Sequence, residues 1–412
     1  MDGGEWAGAV ARYADRVHRV IGDNHHVVSP LGAWIILALC STLSEGAARD
    51  ELVKALGAEP DEAAQFSSTL VASPHPLVGC GAAMWNEPSV NTKGLSSWKS
   101  TLPEQVETGD IPTKASLDKW ADRHTLGLIR SFPIDPSPDL VFLMATALAT
   151  KVSWAEPFML APGSALGASS PWSTDLQQAL RTPPYNHGHV QFIAEGARSG
   201  LLGVHIAKAR DGLAVCSAIA EPGVPAADVL ADAHAVALAE AQRIGSSQRR
   251  SLFELPLGDG PVWTITEEPV QTVSPDRREE SCQSVLPAWS IESKHDLGVA
   301  ELGFPAAAEA VGHALELTSY RYEARQSAIA RYSRLGFEAA AISAFGIAVS
   351  APTTRPGLRR SAELRFGHPF AAVAVVVSSG WPAIGVAEQH PWHGLPVFSA
   401  WIKEPSEAEE AG

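Results

Sequence analysis

Four cysteines in 412 residues are too few to organise a fold. Cys40, Cys80, Cys216 and Cys282 stand far apart with no CxxC pair, which excludes a disulfide scaffold and a zinc signature. Basic residues are also scarce: 31 Lys and Arg face 46 Asp and Glu, giving a formal net charge of −15 and no dense basic run. Nucleic acid is therefore not an expected partner. No apolar run reaches membrane-spanning length, so a membrane is not expected either. The opening MDGGEWAGAVARYADRVHRVIG has acidic residues and no apolar core, unlike a secretory signal. A cytoplasmic protein is expected, with the extracellular space as the alternative.

Catalytic signatures are missing as well. The chain has no GxSxG elbow, no HExxH and no GxxxxGK[ST] loop. His187 and His189 flank Gly188, and His390 and His393 flank a Pro-Trp pair. Both pairs sit among Pro and Gly without a cysteine or carboxylate set, so they read as exposed loop histidines. His25 and His26 precede a helix start and read as capping or exposed. The expectation is no catalytic residue, no metal and no cofactor.

What is present is a chain that can bury a core: 45% hydrophobic and 19% charged, with 34 Gly and 30 Pro. Trp6, Val10, Tyr13, Val17 and Ile21 recur at helical spacing. Ser29 can cap a helix whose first turn holds Pro30, and the stretch to Leu43 is apolar all round, as in a buried helix. Further helices run from Ala48 to Leu56, over 116–132, and from Ala226 to Arg243. Residues 140–158 suit a strand buried on both faces. Residues 159–190 and 258–284 read as irregular. Strand patterns follow at Val285–Ile291, Ala328–Tyr332, Phe337–Val349 and Phe370–Val377. Helices crowd the first half and strands the second, an α+β pattern with one large sheet.

Several segments then match one family in order. These are Asn24 to Leu56 with Ser29-Pro30; Trp120, Thr125, Gly127 and Ile129 as WxxxxTxGxI; and Lys151, Trp154, Pro157 and Phe158. LPAWSIESKHDL from residue 286 follows, then Gly336-Phe337-Glu338-Ala339-Ala340-Ala341, His368-Pro369-Phe370, and Phe398 to Pro405. Together they resemble the serpins, the serine-protease-inhibitor family, in a bacterial-type member. The resemblance implies one domain over residues 1–405 with a large central sheet, smaller sheets, about eight or nine helices and an exposed reactive-centre loop at about 336–362. An acidic tail, 406–412, would follow. It also implies a monomer that inhibits a serine protease as a suicide substrate, its loop entering the central sheet once cut. Gly336, Phe337, Glu338, Ala339, Ala340 and Ala341 would be the hinge. Ser29, Thr146, Trp154 and Gln326 would lie where the sheet opens. Thr146 and Gln326 replace a usual Asn and His, and Arg334, Leu335 and Phe337 also depart from the pattern. A non-inhibitory binding or chaperone-like protein is the alternative.

The loop can be read physically. Insertion needs about fifteen proline-free residues, roughly 50 Å at ~3.3 Å each. Residues 337–350 hold no proline and alternate between an almost wholly apolar face and one carrying the only charge. Pro352 and Pro356 come next, and the segment APTTRPGLRRS reads as exposed and turn-rich. Counting from Gly336 puts the reactive bond at Ser350-Ala351, which suits an elastase-like or subtilisin-like protease. Counting back from Phe366 gives about Leu358, and Arg360-Ser361 is the rival bond, suited to a trypsin-like enzyme.

Overall fold

The first helix, Gly3–Ile21, opens with a reciprocal cap. Asp2 accepts from the Glu5 backbone N–H at 2.9 Å, and Glu5 accepts from that of Asp2 at 2.7 Å. Its Trp6, Val10, Tyr13 and Val17 are buried, as their spacing requires. In this computed structural model the described residues are 1–90, 92–184, 188–210, 212–242, 248–336, 354–377 and 390–408. They hold eight α-helices and four sheets, the largest of seven strands, so the α+β expectation holds. The chain packs as two compact units made of interleaved stretches. Residues 1–151, 291–330 and 374–400 form one, and residues 152–290, 331–373 and 401–412 the other.

In the first unit the helix Pro30–Ser41 is buried on nearly every side, as its apolar text demands. Trp34 packs edge-on against Trp6, with ring centroids 5.9 Å apart. A three-stranded sheet places Val78–Asn86 between Val106–Gly109 and Phe142–Thr150. The helix Lys114–His124 covers it: Trp120 meets Trp85 edge-on at 5.4 Å within a core that includes Leu117 and Phe132. The Thr125 hydroxyl donates to Ala121 O at 2.7 Å and accepts from the Ile129 N–H at 2.8 Å. Gly127 takes φ +78° and its N–H caps Asp122 O, a turn that favours glycine. The WxxxxTxGxI spacing is thus a helix anchor followed by its own stop.

In the second unit Gly200–Lys208 pairs antiparallel with His189–Gly196 on one side and Leu213–Ile219 on the other. A six-stranded sheet has Arg355–Arg365 near its centre, antiparallel to Trp263–Thr272 and parallel to Arg278–Leu286.

Several expectations need correction. The segment 355–365, expected as the turn-rich end of a loop at 336–362, is a strand paired on both sides. Residues 258–284 hold the strands Trp263–Thr272 and Arg278–Leu286. Their solvent-facing charges hid the alternation, and cross-strand ion pairs replace apolar packing. Residues 159–190 hold the short strands Met159–Pro162 and Gln178–Arg181 and the start of His189–Gly196. Pro162 is tolerated because Met159–Pro162 is the edge of its sheet. The helix expected over 116–132 ends at His124, where Thr125 and Gly127 stop it. Phe142–Thr150 is half-buried in alternation rather than buried on both faces. His26 and His189 are buried strand residues, 1% and 5% exposed, not exposed ones.

Candidate functional site

In the second unit, the chain after Phe142–Thr150 meets the chain after Arg325–Tyr332. Ser153 and Gly336 form an antiparallel bridge, and the Trp154 N–H donates to Leu335 O at 3.2 Å. Trp154, 2% exposed, also donates its indole N–H to Ser333 O at 2.8 Å. The Phe158 N–H donates to Arg334 O at 3.1 Å, and Arg334 Nε returns a bond to Phe158 O at 3.1 Å. Arg334, a departure from the family pattern, therefore grips the opposite segment twice. Gly336 has φ +82°, and a Cβ there would lie 2.3 Å from Val152 O. Glycine is the residue this junction accepts.

Aromatic rings fill the junction. Trp154 packs on Tyr332 at 4.9 Å, and Trp289 stacks on Tyr332 at 5.6 Å. Phe158 lies 4.5 Å from His189 and 5.5 Å from His205. His189 Nε2 donates to Glu156 O at 2.9 Å, since a carbonyl can only accept. In neutral His189 the other nitrogen, Nδ1, then accepts from His205 Nε2–H at 3.1 Å. Burial pushes His189 below the ordinary histidine range and His205, wholly buried, well below it. Both rings are held neutral. This pair was not legible in the sequence, where only His189 stood out; His205 in the apolar strand GLLGVHIAK was the available signal.

Three other predicted residues meet in the first unit. The Gln326 side chain binds Ser29 like a paired strand residue: Oε1 accepts from Ser29 N and Nε2 donates to Ser29 O, both at 2.9 Å. The Ser29 hydroxyl donates to Val397 O at 2.9 Å and caps Gly32 N. Thr146 donates to Gly32 O at 2.8 Å. Ser29, Thr146 and Gln326 are thus brought together at the start of Pro30–Ser41, while Trp154 lies in the other unit with Gly336. Replacing Gln326 with alanine should leave the Ser29 N–H without its acceptor, while Ser29 O keeps the Ala33 N–H at 3.4 Å, and cost about 1–3 kcal/mol. A denaturant midpoint that does not move would show that water replaces the amide at no cost.

Phe337, Glu338, Ala339, Ala340, Ala341, Ser350 and Ala351 lie outside the described residues. Arg360 and Ser361 sit mid-strand in Arg355–Arg365. Among the described residues no group of three His, Cys, Asp or Glu side chains is placed to hold a metal. Burial pushes the Cys40, Cys80 and Cys282 thiols up to about 12 and raises Cys216 as well, which makes poor nucleophiles of all four. No helix among the described residues is long and apolar enough to cross a membrane. Among the described residues the geometry offers a junction and two edge strands.

Solved structures share this fold over nearly the whole chain. Human thyroxine-binding globulin matches with a TM-score of 0.61 at 13% identity, covering 98% of this chain and 100% of that one. The fold is that of the serpins. Tengpin, a thermophilic serpin, in its native state matches with a TM-score of 0.60 at 10% identity, covering 98% and 95% of the two chains. Serpin48 of the insect Tenebrio molitor matches at 0.56 and 14% identity, covering 98% and 100%. No protein-family model and no curated protein sequence matches the chain.

Proposed function

We propose that the protein inhibits serine proteases as a suicide substrate, its loop being cut and then added to the sheet as a strand. One observation carries this reading. Phe142–Thr150 is an edge strand of its three-stranded sheet, and Arg325–Tyr332 belongs to a sheet of only two strands. Their continuations are tied at Ser153 and Gly336, one residue before the loop begins. Among the described residues each strand keeps an edge with no partner strand, and an unpaired edge is a template for another segment. The proline-free alternation of residues 337–350 supplies a suitable segment.

The favoured targets are elastase-like or subtilisin-like proteases, because Ile347, Ala348, Val349 and Ser350 are small or uncharged. Incubation with a panel of serine proteases should give adducts that survive denaturant, releasing a peptide with its new N-terminus at Ala351. Cleavage without any adduct, across the whole panel, would leave the protein a substrate and end this reading.

A second reading, a non-inhibitory binding protein, is favoured by Arg334. Its double grip on Phe158 strengthens the junction that insertion must part. Thyroxine-binding globulin, solved in complex with thyroxine, has the same fold. Arg334→Ala separates the two readings: an inhibitor held back by this grip should form adducts faster without it, and a binding protein should form none.

A further inference from the structure

The dibasic pair Arg359-Arg360 is the one protease-attracting motif of the segment that the proposed function leaves unused. Its strand is paired along both sides, with Glu268 and Glu279 opposite Arg359, and Glu267 and Glu280 opposite Arg360. Arg359 binds Glu279 through Nε at 3.1 Å and Nη2 at 2.7 Å, and reaches Glu268 at 3.4 Å. Arg360 points to the other face. It binds Glu267 at 2.8 Å, donates from Nη1 to Leu252 O at 2.8 Å and Leu255 O at 2.9 Å, and lies 4.8 Å over the Phe253 ring. Its side chain is 16% exposed. Arg278 occupies the same Phe253 ring at 4.8 Å. Ser361 shares a hydrogen bond with Ser281 at 2.8 Å.

A trypsin-like enzyme needs the arginine side chain in its specificity pocket and the flanking backbone extended along its own cleft. Here both are committed. Every charge on the Arg pair faces a carboxylate, and both backbone edges are in ladders.

We propose that Arg359 and Arg360, with Glu267, Glu268 and Glu279, form an ionic latch that determines specificity by hiding the dibasic bond from trypsin-like proteases. Within residues 337–361 the latch takes the dibasic bond out of reach and leaves the uncharged residues as the bait. This rests on the proposed inhibitory reading only in naming the hidden bond a discarded bait; the latch itself is a property of the strand.

Its test uses the full chain and trypsin, with initial cleavage rates mapped by mass spectrometry. Arg321, whose side chain is 90% exposed, is the internal reference. The wild type should be cut after Arg321 well before Arg359 or Arg360. The triple variant Glu267→Gln, Glu268→Gln, Glu279→Gln should be cut after the dibasic pair on the order of tenfold faster than wild type, since three weakened pairs add up to that scale. Raising salt to about 1 M should move the wild type toward the variant. Wild-type cleavage after Arg360 as fast as after Arg321, or rates unmoved by both salt and substitution, would overturn the latch. If the variant does not fold, the salt series on the wild type decides alone. Absence of adducts with every protease would sink the inhibitory reading and leave these rates untouched.

Discussion

Replacing Trp154 with alanine is expected to cost about 3–5 kcal/mol, the range for emptying a large buried aromatic site. The ring is 2% exposed and packs between Phe158 and Tyr332, so the neighbours that line the cavity are themselves large and fixed. The substitution also removes the indole donor from Ser333 O. Trp154→Phe keeps most of the volume and loses only that donor, and should cost about 1 kcal/mol. Denaturant unfolding of both variants checks the pair. Equal costs would mean that the Ser333 bond, not packing, holds the junction. A further consequence belongs to the loop: with Trp154 gone, the Ser153–Gly336 bridge loses its cover, and limited proteolysis just after Gly336 should accelerate.

Acid should destabilise the protein strongly between about pH 6.5 and pH 4. Burial pushes His26 down to about 4, and it pushes His295, His189 and His205 down as well. These rings are neutral when folded and titrate near their ordinary value when unfolded, so the unfolded state binds more protons in this window. Stability is therefore full above about 6.5 and falls as the pH drops toward the folded values. His26 alone, held near 4 by burial, contributes roughly 3 kcal/mol. Geometry agrees with the direction. His26 Nδ1 donates to Asn24 O at 2.7 Å, so its Nε2 accepts from His18 Nδ1–H at 2.8 Å, and His18 Nε2 then accepts from the Ser399 hydroxyl at 2.7 Å. A proton on His26 Nε2 would turn that acceptor into a donor facing a donor. Denaturant midpoints measured from pH 7.5 to pH 4 test this. His26→Gln should flatten part of the slope, and a wild-type midpoint constant down to pH 4.5 would contradict the buried neutral assignment.

How much of this was legible in the sequence depended on which force shapes each segment. Pro30–Ser41 was readable because burial on all sides leaves an unbroken apolar text. Thr125 and Gly127 were readable because a helix stop needs particular chemistry at fixed spacing. Gly336 was readable from a family pattern, and the structure gives the reason: Val152 O leaves no space for a Cβ. Trp263–Thr272 and Arg355–Arg365 were not readable, because their partners are charges contributed from about ninety residues away. Polar alternation on a solvent face looks like loop until the opposing strand is known. His205 was invisible for the opposite reason: one histidine in an apolar strand carries no spacing signal, and its meaning comes from His189, its hydrogen-bond partner across the pairing with His189–Gly196.

The central claim, that the loop can become a strand of the sheet, is tested most directly by heat. Cutting the chain once within residues 337–353, with a protease that leaves the rest intact, should convert a kinetically trapped fold into a markedly more heat-resistant one. The cut protein should stay folded at temperatures that unfold the intact chain, and the intact chain's apparent midpoint should depend on scan rate. A cut protein that unfolds at the same temperature as the intact one, reversibly and independently of scan rate, would contradict insertion.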